Sequence, residues 1–338
     1  MSLNGHFLGA LCAVGTVGNL VALVTLQHVN DSDKNSTNWL LRALAVVDTL
    51  YLLTRLLANQ FEFFTCRDVQ WLPLAVSRLF AAIAPYMASG ASLIHMVSVW
   101  TVVVIAADRY ITVCLPGEVQ LRTVRRAKVV VACVVVASVV CCAPLFVDSS
   151  LECDDAKSVA IASPVLVKRS WWLVTYHIAC DCLIRTLIPF VILLVLIGRM
   201  LVRVRRMTRK FCTKREPANK LNKVNWRKNL TGSLVAVVGL FICCQLPQLL
   251  LRVSILLLQL SGDLHVNEDV LQQASNVASG LLVVNATANF FVYCAIGNTF
   301  RRVLLQLVKC RFAKTPNQNQ KNEVQLPSIS KPTKAANK

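Results

Sequence analysis

Long apolar runs dominate the pattern of hydrophobic and polar positions along the chain. Seven of these runs are long enough to span a bilayer, because a membrane-crossing helix needs about 20 mostly apolar residues. Apolar residues are continuous within each run, whereas the strands of a membrane barrel alternate with polar residues. The predicted spans are residues 7–27, 38–60, 79–112, 128–147, 171–202, 230–260 and 270–295. The pattern predicts an all-α membrane protein built as a seven-transmembrane helix bundle.

A shorter periodic segment follows the seventh run. Its apolar positions, at Phe300, Val303, Leu304, Leu307 and Val308, recur at helical spacing, and basic residues occupy the other face. This spacing predicts a short amphipathic eighth helix that lies on the membrane surface. Cys310 lies close to the membrane in this segment and is a candidate for lipidation. The predicted divisions are an extracellular N-terminus (1–6), the seven-span domain (7–296), the amphipathic helix (297–312) and a disordered cytoplasmic tail (313–338).

Composition and charge agree with a membrane protein and give its orientation. Only 16% of the residues are charged and the mean hydropathy is +0.56, whereas soluble domains carry about 25% charged residues. The net charge of +19 is concentrated on one side, because residues 203–228 hold eleven basic residues and one acidic residue. The segments 148–170 and 261–269, on the other side, together hold seven acidic and three basic residues. Positive loops face the cytosol, so we expect an extracellular N-terminus, a cytoplasmic C-terminus and no nucleic-acid partner.

Two further expectations concern processing. The first apolar run exceeds the usual 7–15-residue core of a signal peptide, and no Lys or Arg precedes it. We therefore expect the first run to remain as a span. Of the fourteen cysteines, Cys66 and Cys153 fall in predicted outward loops, on the oxidising side. These two cysteines either form one disulfide between the first two outer loops or remain two free thiols.

Polar residues recur within the apolar runs, where each one costs free energy unless it has a partner or a function. They appear in order along the spans, one set in each of the first, second, third and seventh. The sets are Asn19; Asp48; Ser98 with Asp108-Arg109-Tyr110; and Asn285 with Asn289 and Tyr293. No cluster typical of a catalytic metal, phosphate loop or nucleophile–base pair accompanies them, so we expect no enzymatic activity.

Taken together, these residues resemble those of the rhodopsin-like (class A) G-protein-coupled receptors. The matching landmarks are Asn19, Asp48, Arg109, Pro189, Pro247, Asn289 and Tyr293. The phrases Cys-Gln-Leu-Pro at 244–247 and Asn-Phe-Phe-Val-Tyr-Cys at 289–294 resemble the FMRFamide neuropeptide-receptor branch. The resemblance implies a plasma-membrane receptor for an extracellular peptide, with a heterotrimeric G protein, arrestin and membrane lipids as partners.

The chain also departs from the family pattern at several places. In the third span, Ala84 stands in place of the family's disulfide cysteine, and in the fourth span Val134 or Val135 stands in place of a tryptophan. In the fifth, sixth and seventh spans, Ile197 replaces a tyrosine, Gln245 a tryptophan and Phe290 a proline. Ala84 puts the family's disulfide in doubt, with Cys66 as a substitute from another position. The changes at Gln245 and Phe290 leave open a seven-span scaffold that does not signal. A transporter is less consistent with the sequence, since internal repeats and broken helices are absent.

The resemblance assigns a conformational switch to residues of the third, sixth and seventh spans. Its residues are Asp108, Arg109, Tyr110, Pro247, Asn289 and Tyr293. Pro247 lacks an amide proton and should kink the sixth helix. Arg109 would pair with Asp108 at rest and meet the G protein after activation; the alternative is an arginine that extends to the interface.

A polar cluster in the middle of the bundle is a candidate sodium site. The oxygen-bearing side chains of Asp48, Ser98, Asn285 and Asn289 suit a small cation, and the family has such a site at the matching positions. The alternative is a hydrogen-bonded network of water without an ion. No other cofactor is expected.

Charged stripes on the outer halves of the spans predict a ligand cavity. His177, Asp181 and Arg185 share one face of the fifth span, because they are four residues apart. The ligand-binding candidates are Glu62, His95, His177, Asp181, Arg185, Gln248 and Arg252. A cationic peptide side chain could pair with Asp181 or Glu62, unless Asp181 pairs with Arg185. Residues 86–93 contain no acid, which argues against a monoamine.

Overall fold

The computed structural model describes residues 3–28, 36–66, 74–115, 123–147, 152–153, 160–161, 178–213, 236, 238–254, 257, 268–296 and 298–312. Its long elements are helices, as the continuous apolar runs predict. They are α1 (Leu3–Gln27), α2 (Ser36–Cys66), α3 (Leu74–Cys114), α4 (Val124–Val147), α5 (a π-helical segment, Ile178–Leu187, continued by the α-helix Ile188–Thr213), α6 (Val238–Ser254), α7 (Glu268–Ile296) and α8 (Asn298–Phe312). The amphipathic segment predicted at 297–312 is the helix α8.

Membrane-spanning character is visible in how these helices bury their side chains. The described parts of α1, α3, α4, α5 and α7 are long and apolar enough to cross a bilayer. Their outward faces carry many half-exposed aliphatic side chains, for example Val17, Val136 and Val140. A soluble protein rarely exposes so large an apolar surface, whereas lipid solvates it well. Polar side chains such as Asn19 and Asp48 are buried instead.

Several helices extend beyond the predicted spans. α2 continues from the predicted end at residue 60 to Cys66, and α3 begins at Leu74 instead of residue 79. The residues just after the second apolar run include no glycine or proline before Pro73, so nothing in their backbone chemistry ends the helix there. The loop position predicted for Cys66 is therefore wrong, because this residue is the last of α2. Cys153 lies in the two-residue strand β1 (Glu152–Cys153), which pairs antiparallel with β2 (Ala160–Ile161).

The π-helical start of α5 was not predicted. Pro189 is the second residue after this segment. A proline has no amide proton, and its ring clashes with the carbonyl four residues earlier. The wider π-turn accommodates that clash, and such turns often occur near functional sites. Here the widened segment contains Arg185.

The close packing of α1 on α7 depends on two glycines. A Cβ atom at Gly15 would overlap Thr287 Oγ1 and would lie 2.7 Å from Leu52 Cδ1. At Gly18 it would lie 3.2 Å from the Phe290 ring. Small residues allow membrane helices to approach closely, so this part of α1 is fixed against α2 and α7.

Candidate functional site

Asp48 is the centre of a buried polar cluster that joins α2, α3 and α7. Its carboxylate accepts hydrogen bonds from Ser98 Oγ and from Asn289 Nδ2, both at 2.6 Å. Asn285 lies one helical turn before Asn289 on the same face of α7 and is also buried. The structure thus brings Asp48, Ser98 and Asn289 of the predicted sodium site into contact and places the fourth, Asn285, on the same face of α7.

The cluster has the chemistry of a cation site as well as of a water network. A carboxylate and a hydroxyl provide hard oxygen ligands of the kind that small cations prefer. On neighbouring α1, Asn19 Nδ2 donates to the Ala286 carbonyl at 3.1 Å, while the buried Asn19 Oδ1 has no hydrogen-bond partner among the described residues. A buried polar atom of this kind needs a water molecule or an ion. The residues present therefore fit a hydrated sodium ion.

A second polar site lies farther along α2, on the side of Asp48 away from Ser36. It is a cavity of about 80 Å³. Five helices contribute the lining residues Tyr51, Arg55, Ala91, Ser92, His95, Arg185, Thr186, Gln245, Gln248, Arg252, Ser279 and Leu282. Four of the predicted ligand-binding residues, His95, Arg185, Gln248 and Arg252, meet at this cavity. The described lining residues include three arginines and no carboxylate.

Contacts between helices hold this cavity together. A hydrogen bond of 2.8 Å between Gln245 Nε2 and His95 Nε2 joins α6 to α3, with the amide as donor when the imidazole proton is on Nδ1. The His95 ring also packs at 5.3 Å from the ring of Tyr51. On α6, the Gln248 amide can be oriented so that its oxygen accepts from Arg252 Nε and Nη2 at 3.1 and 3.2 Å. Gln245, which stands where the resemblance places a tryptophan, thus joins α6 to α3 by a polar contact.

The end of α3 that carries Asp108 is fixed to the start of α2. The buried Asp108 carboxylate accepts hydrogen bonds from Ser36 Oγ at 2.7 Å and from Thr37 Oγ1 at 2.5 Å. Sequence reasoning missed both hydroxyls, because a serine and a threonine at a helix start are ordinary capping residues. Arg109 is half-buried beside this anchor, and its pairing with Asp108 stays a prediction.

The other predicted switch residues lie at different depths in the bundle. Pro247 stands between Gln245 and Gln248, which line the second cavity, whereas Asn289 donates to Asp48. Tyr293 is buried near the end of α7, and its ring lies 5.9 Å from that of Phe300 on α8. Tyr110 is half-buried on α3. Pro247 lies within α6, which continues as a helix from Val238 to Ser254. The kink predicted at Pro247 stays a prediction.

Some predicted residues fall outside the description. The side chains of Glu62, Cys66, Cys153, Asp181 and Cys310 and the whole of His177 lie outside the described residues. The disulfide, the lipidation and the acidic ligand contacts therefore stay predictions.

Comparison with known proteins agrees with this arrangement. The family described as "7 transmembrane receptor (rhodopsin family)" matches residues 18–293, most of the chain. The chain belongs to the rhodopsin family of seven-transmembrane receptors. The resemblance predicted from the sequence is confirmed, as is the seven-span fold. The family consists of receptors, which also confirms the expectation that the chain is not an enzyme.

Individual relatives are neuropeptide receptors of low identity. The chain is 22% identical over 314 residues to the FMRFamide receptor of Drosophila melanogaster, an alignment that covers 89% of this chain but 53% of that receptor. The chain thus spans about half the length of the Drosophila receptor. It is 25% and 26% identical over 309 residues to the neuropeptides B/W receptor type 1 of Mus musculus and Rattus norvegicus, with 90% of this chain and 86% of each relative covered.

Proposed function

We propose that this receptor binds an extracellular FMRFamide-like neuropeptide at the plasma membrane and promotes nucleotide exchange in a heterotrimeric G protein. The observation that carries the proposal is the cavity lined by Arg55, His95, Arg185, Gln248 and Arg252, in a chain whose relatives include neuropeptide receptors. The charge pattern of the loops supports an outward cavity and a cytoplasmic C-terminus. In the cytosol, arrestin is a second expected partner.

The chemistry of the cavity favours a peptide. Its arginine and glutamine side chains offer many N–H donors. A peptide provides matching carbonyl acceptors along its backbone and in a C-terminal amide. The cavity is small, so it would hold the end of a peptide, with the rest of the ligand above it. Asp181 and Glu62, which belong to the same two helices as Arg185 and Arg55, are the proposed partners of a cationic peptide side chain.

The same bundle provides a route from the cavity to the cytoplasmic end. Arg55 in the cavity and Thr37 at the Asp108 anchor are 18 residues apart on α2, which corresponds to about 27 Å along a helix. The Asp48 cluster lies between them and joins three helices. A peptide that binds one arrangement of α3 and α6 better than another shifts their balance. The His95–Gln245 bond joins these two helices directly, so we propose that the ligand acts on it.

In this mechanism the cytoplasmic half of α6 moves about Pro247 and Arg109 becomes accessible to the G protein. Hinge motion at a proline is part of the known repertoire of switching proteins. We propose that sodium binds at Asp48, Ser98, Asn285 and Asn289 in the resting arrangement. When bound, the ion supplies a positive charge beside the Asp48 carboxylate and so favours the packing of α2, α3 and α7 that the structure shows.

Peptide binding to the purified receptor in lipid nanodiscs tests the ligand class. A fluorescent library of amidated peptides would be compared with the same peptides as free acids. We expect an amidated peptide to bind, and Arg185→Gln or Arg252→Gln to weaken binding about tenfold or more, which corresponds to about 1.4 kcal/mol or more. Arg78→Gln is the matched control, because Arg78 is exposed near the start of α3.

Two results would contradict the proposal. Equal weakening by Arg78→Gln would mean that the effect is not specific to the cavity. Binding of small organic ligands without binding of any peptide would indicate a receptor for a non-peptide ligand.

A further inference from the structure

A larger cavity opens between α3 and α5 at the cytoplasmic end of the bundle. Its volume is about 380 Å³. The lining residues are Tyr110, Cys114, Gly198, Arg199, Val202, Arg203 and Arg206. The ligand cavity and the Asp48 cluster do not share any of these residues. The described lining includes three cations and no carboxylate.

The three arginines form one edge of an exposed face of α5. Arg199, Arg203 and Arg206 are spaced by four and three residues, and all three side chains are exposed. Each guanidinium group presents several N–H donors in a planar fork that matches phosphate oxygens. Three such groups around one cavity suit a ligand with several phosphate groups better than a single carboxylate.

An apolar stripe continues from this cavity toward the middle of the membrane. Val191, Leu194, Val195 and Val202 are 50%, 47%, 50% and 47% exposed. At 100° per residue they share the face that also carries Gly198 and Arg199. The opposite face of the helix, with Leu193, Ile197 and Met200, is buried against the bundle. One face of α5 therefore offers an apolar surface followed by a basic cavity, which is the pattern of a phospholipid.

We propose that this cavity binds the polyphosphorylated headgroup of an anionic phospholipid, whose acyl chains lie along the apolar stripe of α5. The apolar stripe favours a membrane lipid over a soluble phosphate compound. The leaflet follows from the orientation proposed above, in which this end of the bundle faces the cytosol. The lipid would contact Tyr110, the neighbour of Arg109, and so would reach the switch from outside the bundle.

Binding of phosphatidylinositol bisphosphate to the full chain tests this site. The receptor would be placed in phosphatidylcholine nanodiscs that contain this lipid, and affinity would be measured by native mass spectrometry. The triple variant Arg199→Gln/Arg203→Gln/Arg206→Gln should weaken binding roughly a hundredfold, since each basic residue at a membrane surface contributes about 1 kcal/mol. The charge-matched control is Arg125→Gln/Arg126→Gln/Lys128→Gln, three exposed residues at the cytoplasmic start of α4.

A neutral variant separates the shape of the cavity from its charge. No atom lies within 4 Å of a Cβ atom built on Gly198, so Gly198→Leu should fold and fill part of the cavity. We expect it to weaken binding of the lipid without any change in charge. Thermal unfolding of each variant would show that it remains folded.

Three results would overturn the proposal. These are equal losses in the α5 and α4 triple variants, unchanged binding in Gly198→Leu, and binding of free inositol phosphate as tight as that of the lipid. The assay needs neither peptide nor G protein and the nanodisc is symmetric. Its outcome is therefore independent of whether the proposed receptor function or orientation is correct.

Discussion

Removal of the hydroxyl groups that hold Asp108 should destabilise the contact between the start of α2 and α3. Thr37→Val keeps the shape of the side chain and removes only its donor. Ser36→Ala removes the second donor. The Asp108 carboxylate is buried and would lose two hydrogen bonds of 2.7 and 2.5 Å.

The expected magnitude follows from the charge of the acceptor. A hydrogen bond to a charged group contributes about 1.5–3 kcal/mol, whereas neutral bonds between membrane helices average about 0.6 kcal/mol. The two losses should not add fully, because both donors share one carboxylate and rearrangement around it compensates in part. We expect the free energy of unfolding to fall by about 2 kcal/mol in Thr37→Val and by about 3 kcal/mol in the double variant.

A matched control is available on α3. Thr101 is as deeply buried as Thr37, but its hydroxyl donates to the Val97 carbonyl of its own helix at 2.7 Å. Thr101→Val removes a neutral bond within one helix, so its cost should stay below about 1 kcal/mol. A difference between the two threonine variants therefore reports the charged bond between helices.

Thermal unfolding in nanodiscs, followed with a thiol-reactive dye, measures these changes. The dye reacts when unfolding exposes the buried thiols of Cys12, Cys142, Cys182 and Cys244. The decisive comparison repeats Thr37→Val in an Asp108→Ala background. In that background, Thr37→Val should lower the free energy of unfolding by less than about 0.5 kcal/mol. An equal cost in both backgrounds would refute the reasoning, because the hydroxyl would then act without Asp108.

Three further predictions follow from the packing and the polar cluster. Gly15→Ala should destabilise the receptor by about 1–3 kcal/mol through overpacking. Gly280→Ala should be neutral or stabilising, because no atom lies within 4 Å of its Cβ position. Thermal unfolding compares the two variants, and equal effects would contradict the close α1–α7 contact. Phe300→Ala should lower the free energy of unfolding by about 3 kcal/mol and should loosen α8. Faster hydrogen exchange of the α8 amides would detect this change. Unchanged exchange would show that the ring contacts with α7 do not hold α8. Sodium chloride should raise the unfolding temperature above that in choline chloride, and Asp48→Asn should abolish this difference; persistence of the difference in Asp48→Asn would exclude a sodium site at this carboxylate.

The number and order of the helices could be predicted from the sequence because hydrocarbon imposes a simple rule. Polar side chains are expensive in lipid, so the interior positions of Asn19, Asp48 and Asn289 follow from the sequence alone. The same rule indicated that His95, Arg185 and Arg252 would face a common interior. In each case the physical constraint acts on a single residue or on one helix.

Pairings between helices could not be predicted in this way. The bonds of Asp108 to Ser36 and Thr37, and of Gln245 to His95, depend on the rotation and depth of two helices relative to each other. The spacing within one helix contains no information about that register. The π-helical turn before Pro189 was also missed, because the proline predicts a disturbed helix but not the type of turn that relieves the clash.

The most direct test of the receptor function is G-protein nucleotide exchange in membranes that carry this chain. A panel of G proteins would be combined with a library of amidated neuropeptides, and GTP uptake would be measured for the wild type and for Arg109→Ala. The account predicts that at least one peptide accelerates exchange on at least one G protein, and that Arg109→Ala abolishes this response while the peptide still binds. Absence of exchange with every peptide, from a folded receptor at the cell surface, would contradict it and favour a seven-helix scaffold that does not signal.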